Sequence, residues 1–180
     1  MNSEIQETIN KCKLGDPQAE YQLYRSYEKQ IYNTCYRIVN ERETALDMLQ
    51  EVFVKAFDKL NSYNAQFAFY TWLNRIAVNH CINHLQKSGV KFQLSDNLAQ
   101  HENTATTEHS MDVELNVRRV KDAIGQLAAG YRTVMNLYLL EGYDHAEIGQ
   151  ILDITESTSK SQFARAKRKV REILKERIYE

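Results

Sequence analysis

One proline and six glycines in 180 residues leave this chain few places to turn sharply. Strand-rich folds need breakers at short intervals, so the scarcity favours long helices joined by few connections. The expected fold class is all-α. At this length the chain makes one ordinary domain or two small ones. Apolar residues at 43% and charged residues at 26% fit a globular protein and not a disordered one.

The apolar spacing supplies the helices. Ser3 with Gln6 reads as a capping box opening a short helix that ends near Leu14 and Gly15. Asp16 followed by Pro17 reads as an N-cap with proline at the first helical position. The helix it opens carries Leu23, Tyr27, Ile31, Cys35 and Ile38 at three- and four-residue steps, to about Val39. Asn40 is the expected cap of a third helix, with a stripe of Leu46, Leu49, Phe53, Ala56, Phe57 and Leu60. Residues 61–68 read as a loop. A fourth helix then runs to about Gln86 with Trp72, Leu73, Ile76 and Ala77 inward.

Between residues 88 and 111 the periodicity dissolves into polar and small residues. Such a stretch buries too little apolar surface to offset the entropy of ordering it. It is mildly acidic, with Asp96, Glu102 and Glu108 against Lys91, and reads as a flexible linker. The expected domains are therefore 1–87 and 112–180. In the second, Val113, Val117, Val120, Ile124 and Leu127 mark one helix and residues 131–140 another. Asp144 can cap a short helix to Leu152, and Thr155 a long last helix to about Arg177.

A net charge of −1 means that any nucleic-acid binding must come from a local basic face. Such a face lies in the run 143–168, YDHAEIGQILDITESTSKSQFARAKR. A short helix with Ala146, Ile148 and Leu152 inward, a tight turn at Asp153 with Ile154 buried, and a capped second helix have the layout of a helix-turn-helix. In that motif the second helix enters the major groove of DNA. Thr155, Ser157, Thr158, Lys160, Ser161, Arg165 and Arg168 stand on or near its exposed face, and hydroxyl, ammonium and guanidinium groups can donate to guanine or phosphate oxygens.

With those residues in view, a family resemblance emerges. The run 43–57, ETALDMLQEVFVKAF, resembles the segment of sigma region 2 that docks on the polymerase clamp helices. The run 69–79, FYTWLNRIAVN, resembles the adjoining segment that opens and reads the −10 element, and residues 127–174 look like sigma region 4, which reads the −35 element. With no other sigma region between them, the chain resembles the extracytoplasmic-function group of the sigma-70 family. The resemblance implies two helical domains bound to core RNA polymerase, at its β′ clamp and β flap, and to promoter DNA. It also implies restraint by an anti-sigma factor. The implied polymerase-binding residues are Asp47, Gln50, Glu51, Val52 and Phe53. Those implied for −10 DNA are Tyr63, Asn64, Gln66, Phe67, Phe69, Arg75, Asn79 and Asn83. Aromatic and amide groups suit the capture of unstacked bases. The chain departs from the family at Asn64 and Ala65, where glycine and arginine are common, and at Asp153, where glycine is common. Aspartate tolerates the left-handed backbone that such a turn needs.

Other chemistries are expected to be absent. His80 and His84 sit one helical turn apart, but Cys81 stands where a zincin-type site needs glutamate, so no metal is expected. No phosphate loop or nucleophile arrangement is present, so neither catalysis nor a cofactor is expected. Three cysteines without paired spacing fit a reducing cytoplasm, and no segment reads as a signal peptide or membrane insertion. The rival readings are a helix-turn-helix regulator with a sensing or dimerising first domain, and an adaptor that never touches DNA.

Overall fold

The structure, a computed structural model, describes residues 2–92 and 113–176. Among these residues it contains helices and no strand. The order is α1 (Asn2–Lys13), α2 (Pro17–Val39), α3 (Arg42–Asp58), a 3-10 turn (Leu60–Ser62) and α4 (Phe69–Lys87), then α5 (Val113–Gly125), α6 (Ala129–Leu139), α7 (His145–Leu152) and α8 (Glu156–Glu176). Chain packing separates two units, Met1–Gly89 and Val90–Glu180.

In the first unit α2, α3 and α4 pack against one another and α1 lies on α2. The α2 stripe is buried as its spacing requires, with Leu23, Ile31, Cys35 and Ile38 almost free of solvent contact. Asp16 caps α2, its carboxylate accepting from the backbone N–H of Gln18 at 2.9 Å and of Ala19 at 3.4 Å. Ser3 lies inside α1, which starts at Asn2, so it is not the helix's opening cap. Asn40 does not start α3 either: it ends α2 in the left-handed conformation at φ 59°, which asparagine adopts more readily than most residues. Glu41 caps α3 instead, accepting from the N–H groups of Glu43 and Thr44. Hydrogen bonds from Thr44 and Glu43 hold its carboxyl down at a pKa of about 2.

The buried face of α3 is rotated from the expected one. Ala45, Met48, Leu49, Val52, Phe53 and Ala56 form it, whereas Leu46 is 44% exposed. Apolar residues occur on enough of this helix to fit either face. Leu49, Phe53 and Ala56 belong to both faces; the burial of Ala45, Met48 and Val52 in place of Leu46 marks the rotation.

The second unit centres on Ala123, Ile124, Leu127, Met135, Ala166 and Val170, with Tyr131, Phe163, Ile173 and Leu174 packed around them. Val117 and Val120, expected inside, are exposed, because Ala123 and Ile124 turn the neighbouring face of α5 inward. The side chain of Val113 lies outside the described residues, as do residues 93–111 of the expected linker and residue 112. Phe92, assigned to that linker, is instead buried in this unit: Gln162 donates a side-chain hydrogen bond to its carbonyl, and Gly130 lies beside its ring.

Candidate functional site

The solvent face of α3 follows from the rotation just described. At about 100° per residue, Leu46, Gln50 and Val54 form a row flanked by Asp47, Glu51 and Asp58, all exposed. The face mixes acidic, amide and apolar groups, which suits docking of a basic amphipathic helix. Val52 and Phe53 are not on it. Both are core residues, and a partner cannot reach them without unfolding the helix packing. Val54, 61% exposed, stands on this face as its place off the expected buried stripe implies, and Leu46, expected inside, joins it at 44% exposure.

The loop before α4 is built on an aromatic cluster. The Tyr63 ring stands edge-on to Phe69 (5.3 Å, 87°), and Trp72 lies 5.5 Å from each. Tyr63 and Phe69 are buried, so they support the loop and are not free platforms for a base. Their inner surfaces meet Ile5, Ile9, Tyr27 and Tyr70 around a cleft of about 310 Å³. The Tyr63 hydroxyl donates to the Phe67 carbonyl at 2.8 Å, and the Lys13 ammonium donates to the Tyr63 carbonyl at 3.1 Å. Asn64 turns the chain by accepting from Gln66 N–H at 3.2 Å. Ala65 follows it in the left-handed region at φ 58°, where a side chain is disfavoured by roughly 1–2 kcal/mol. What this frame presents to solvent is Phe67, 70% exposed, with Asn64 and Gln66 beside it. Arg75, Asn79 and Asn83, four residues apart on α4, are all exposed and form one polar row.

In the second unit α7 and α8 make a helix-turn-helix. Asp144 and Glu147 form a reciprocal capping box at the start of α7. Asp153 ends that helix in the left-handed conformation, φ 55°, as the sequence allowed. Gly149 sets how closely the helices meet: a Cβ there would lie 2.9 Å from the Ile154 carbonyl oxygen. This contact was not foreseen, although a glycine inside a helical pattern signals close approach. Ile154 is partly buried in the turn and Ala146 is exposed, so Ile148 and Leu152 do the inward packing on α7. Thr155 caps α8, its hydroxyl accepting from Thr158 N–H at 3.0 Å.

On α8, Ser157, Lys160, Ser161, Arg165 and Arg168 lie on one side, opposite Gln162, Ala166 and Val170. Lys160 pairs with Glu156 at 2.6 Å and Arg168 sits 3.9 Å from Glu172, so both cations carry a carboxylate neighbour that DNA phosphates would have to displace. Beneath the face, His145 accepts or donates at Nδ1 with Ser159 Oγ (2.9 Å) and stacks on Tyr138. Burial, then the Lys160 charge, push its pKa below the ordinary histidine value. Lys167 lies over Phe163, 5.1 Å from its ring centre.

Residues 23–90 match the family model of sigma-70 region 2, and residues 118–170 that of sigma-70 region 4. The chain is 30% identical over 172 residues to the RNA polymerase sigma-H factor of Pseudomonas aeruginosa, covering 90% of this chain and 89% of that protein. It is 31% identical to the ECF RNA polymerase sigma-E factor of Haemophilus influenzae, with 90% of each chain covered. With the ECF RNA polymerase sigma factor SigW of Bacillus subtilis it shares 28% over 98% of its length and 100% of that protein's. Among solved structures, the sigma factor RpoE in complex with the anti-sigma factor NepR from Bartonella quintana has the same fold. Its TM-score is 0.56 at 22% identity, over 86% of this chain and 96% of that one. CnrH in complex with the cytosolic domain of CnrY gives 0.54 at 20%, over 93% and 95%. With both regions matched in order and the relatives aligned nearly end to end, this chain belongs to the extracytoplasmic-function group of the sigma-70 family of RNA polymerase sigma factors.

Proposed function

We propose that the chain directs promoter-specific initiation by gripping core RNA polymerase with α3 and two promoter elements with the α4 and α8 regions. The first unit docks on the β′ clamp through Leu46, Asp47, Gln50, Glu51 and Val54. The loop at residues 63–69 holds an unstacked base of the −10 element, with Phe67 as its exposed aromatic and Asn64 and Gln66 as its amides. Arg75, Asn79 and Asn83 follow the opened strand. Aromatic stacking returns about 1–3 kcal/mol per base, against a few kcal/mol for each unstacked step, so polymerase contacts must share in melting. The second unit contacts the β flap and lays α8 in the −35 major groove, where Thr155, Ser157, Thr158, Lys160, Ser161, Arg165 and Arg168 meet bases and phosphates.

Sigma factors are initiation factors and not enzymes, and this reading assigns no chemistry to any side chain. Among the described residues no helix is long and apolar enough to cross a membrane. A cytoplasmic site of action, beside the polymerase, follows from the role. One protein of the same fold is solved with an anti-sigma factor, which supports an anti-sigma restraint here as well.

The observation that carries the reading is the chain's pairing of a helix-turn-helix, whose close helix contact is fixed at Gly149, with a separate helical unit bearing a mixed acidic and apolar face. In vitro transcription with core polymerase on a promoter library tests it: the chain must redirect initiation to a defined pair of elements. Arg165→Ala is expected to cost about 1–3 kcal/mol at one −35 position without changing core binding. Unchanged −35 dependence removes α8 from the groove, and binding to duplex DNA with full specificity in the absence of polymerase favours a conventional regulator.

A further inference from the structure

His80 is the titratable group that neither the fold nor the promoter contacts account for. It projects from α4, with a side chain only 12% exposed, onto the edge of the α3 docking face. Its Nδ1 lies 2.6 Å from the Lys55 ammonium, and its Nε2 lies 2.9 Å from Glu51 Oε2. An ammonium has only protons to offer, so Nδ1 is the acceptor and the ring carries its proton on Nε2. That proton is donated to Glu51. The imidazole is therefore neutral and fixed in one tautomer by two partners, both from the neighbouring helix.

The geometry alters an ordinary ion pair. Glu51 and Lys55 are four residues apart on α3, the spacing at which such side chains pair directly. Here they stand 3.8 Å apart, and the ammonium is closer to the ring than to the carboxylate. Glu51 stays 56% exposed. We propose that His80 is a positioning residue of the polymerase-docking face: it draws Lys55 aside and steadies Glu51 as an outward-facing charge for a basic group of core polymerase. The proposal rests on the docking role of α3 given above.

The groups facing His80 are Lys55 and Glu51 from α3 and His84 from its own helix. Burial, then the Lys55 charge, lower its pKa, while Glu51 opposes them and His84 adds to them. The neutral ring persists above the ordinary histidine range and for some distance below it. When the ring is protonated, its charge repels Lys55 and closes on Glu51, cancelling the carboxylate that the partner would meet. Docking is therefore complete at neutral pH and declines as pH falls through the lowered pKa of His80.

The test is the affinity of labelled protein for purified core polymerase, measured by anisotropy from pH 8 to pH 5.5 (about the histidine range). Glutamine can accept from Lys55 and donate to Glu51 without titrating, so His80→Gln is expected to keep neutral-pH affinity and lose the acid decline. His80→Phe and Glu51→Gln should each weaken binding roughly fivefold, the order of one exposed ion pair. Together they should weaken it no further, because both remove the same contact. Trp72 fluorescence checks that each variant is folded. Full additivity of the two losses, or an acid decline that survives in His80→Gln, overturns the relay. An Asp47→Ala, Gln50→Ala pair separates the two readings. If it weakens binding while His80→Phe does not, the relay alone falls; if it has no effect, the docking face falls and the relay with it.

Discussion

Among the described residues of the first unit the buried polar side chains are Thr34 and Asn74, which hydrogen-bond to each other across α2 and α4 at 2.9 Å. In the second, Arg132, Thr133, Asn136, Ser159 and Gln162 are all buried. Among the described residues, Arg132 Nε, Thr133 Oγ1 and Gln162 Oε1 meet no partner. Each such group costs about 1–3 kcal/mol. The first unit thus encloses an apolar core from three long helices and keeps its working groups outside. The second holds polar groups within a smaller core, while α8 must also carry a dense positive charge. The difference predicts that the second unit is the less stable body.

The sole tryptophan, Trp72, belongs to the first unit, so its fluorescence follows that unit while far-UV circular dichroism follows both. The largest effect is expected from Leu73→Ala. This side chain is fully buried beside Trp72, and its truncation should cost about 2–5 kcal/mol. The tryptophan transition in urea should move to lower concentration while the other remains. If the two move together, the units fold as one and the comparison fails. Gly149→Ala comes next. With backbone 2.9 Å from the new methyl, the helices must separate at a cost of about 1–3 kcal/mol, seen in circular dichroism and not in tryptophan fluorescence.

A smaller effect concerns pH. His145 is held below its ordinary pKa by burial and Lys160, against the opposing charges of Glu156 and Asp144. Its folded pKa lies under the unfolded one, so the neutral side chain favours folding above about pH 6.5, and that contribution fades as pH falls through the folded value. The second unit's midpoint should therefore drop in mild acid, and His145→Gln should flatten the profile. Smallest is Thr133→Val. Replacing an unpartnered buried hydroxyl with a methyl should leave that unit's stability unchanged or raise it by up to ~1 kcal/mol. A clear loss would mean that the hydroxyl is satisfied, which weakens the contrast between the units.

Much of the fold was legible because local signals agreed. Asp16 before Pro17, Asp144 three residues ahead of Glu147, and Thr155 ahead of a hydroxyl-rich turn each cap a helix through contacts within one turn of chain. The left-handed Asp153 was legible for the same reason. The errors fall where two local solutions had similar energies. Asn40 is a good cap at either kind of helix end, and only Glu41, one residue on, decides which end it serves. On α3 two neighbouring apolar faces compete, and packing against α2 and α4 selects one.

The candidate sites divide in the same way. Arg75, Asn79, Asn83, Ser157 and Lys160 are exposed as helical spacing dictates. Val52, Phe53, Tyr63 and Phe69 are withdrawn by packing that periodicity does not contain.

The sequence alone determined the helices, the caps at Asp16, Asp144 and Thr155, the basic face and the family motifs, because each depends on residues within a few turns of one another. Tertiary structure alone decided which side of α3 meets solvent, that Phe92 anchors in the second unit, and that His80 reaches Lys55 and Glu51. Those outcomes come from helices that meet only after folding. Their contacts are selected by the fit of side chains across a shared interface, and no spacing within one helix encodes that fit.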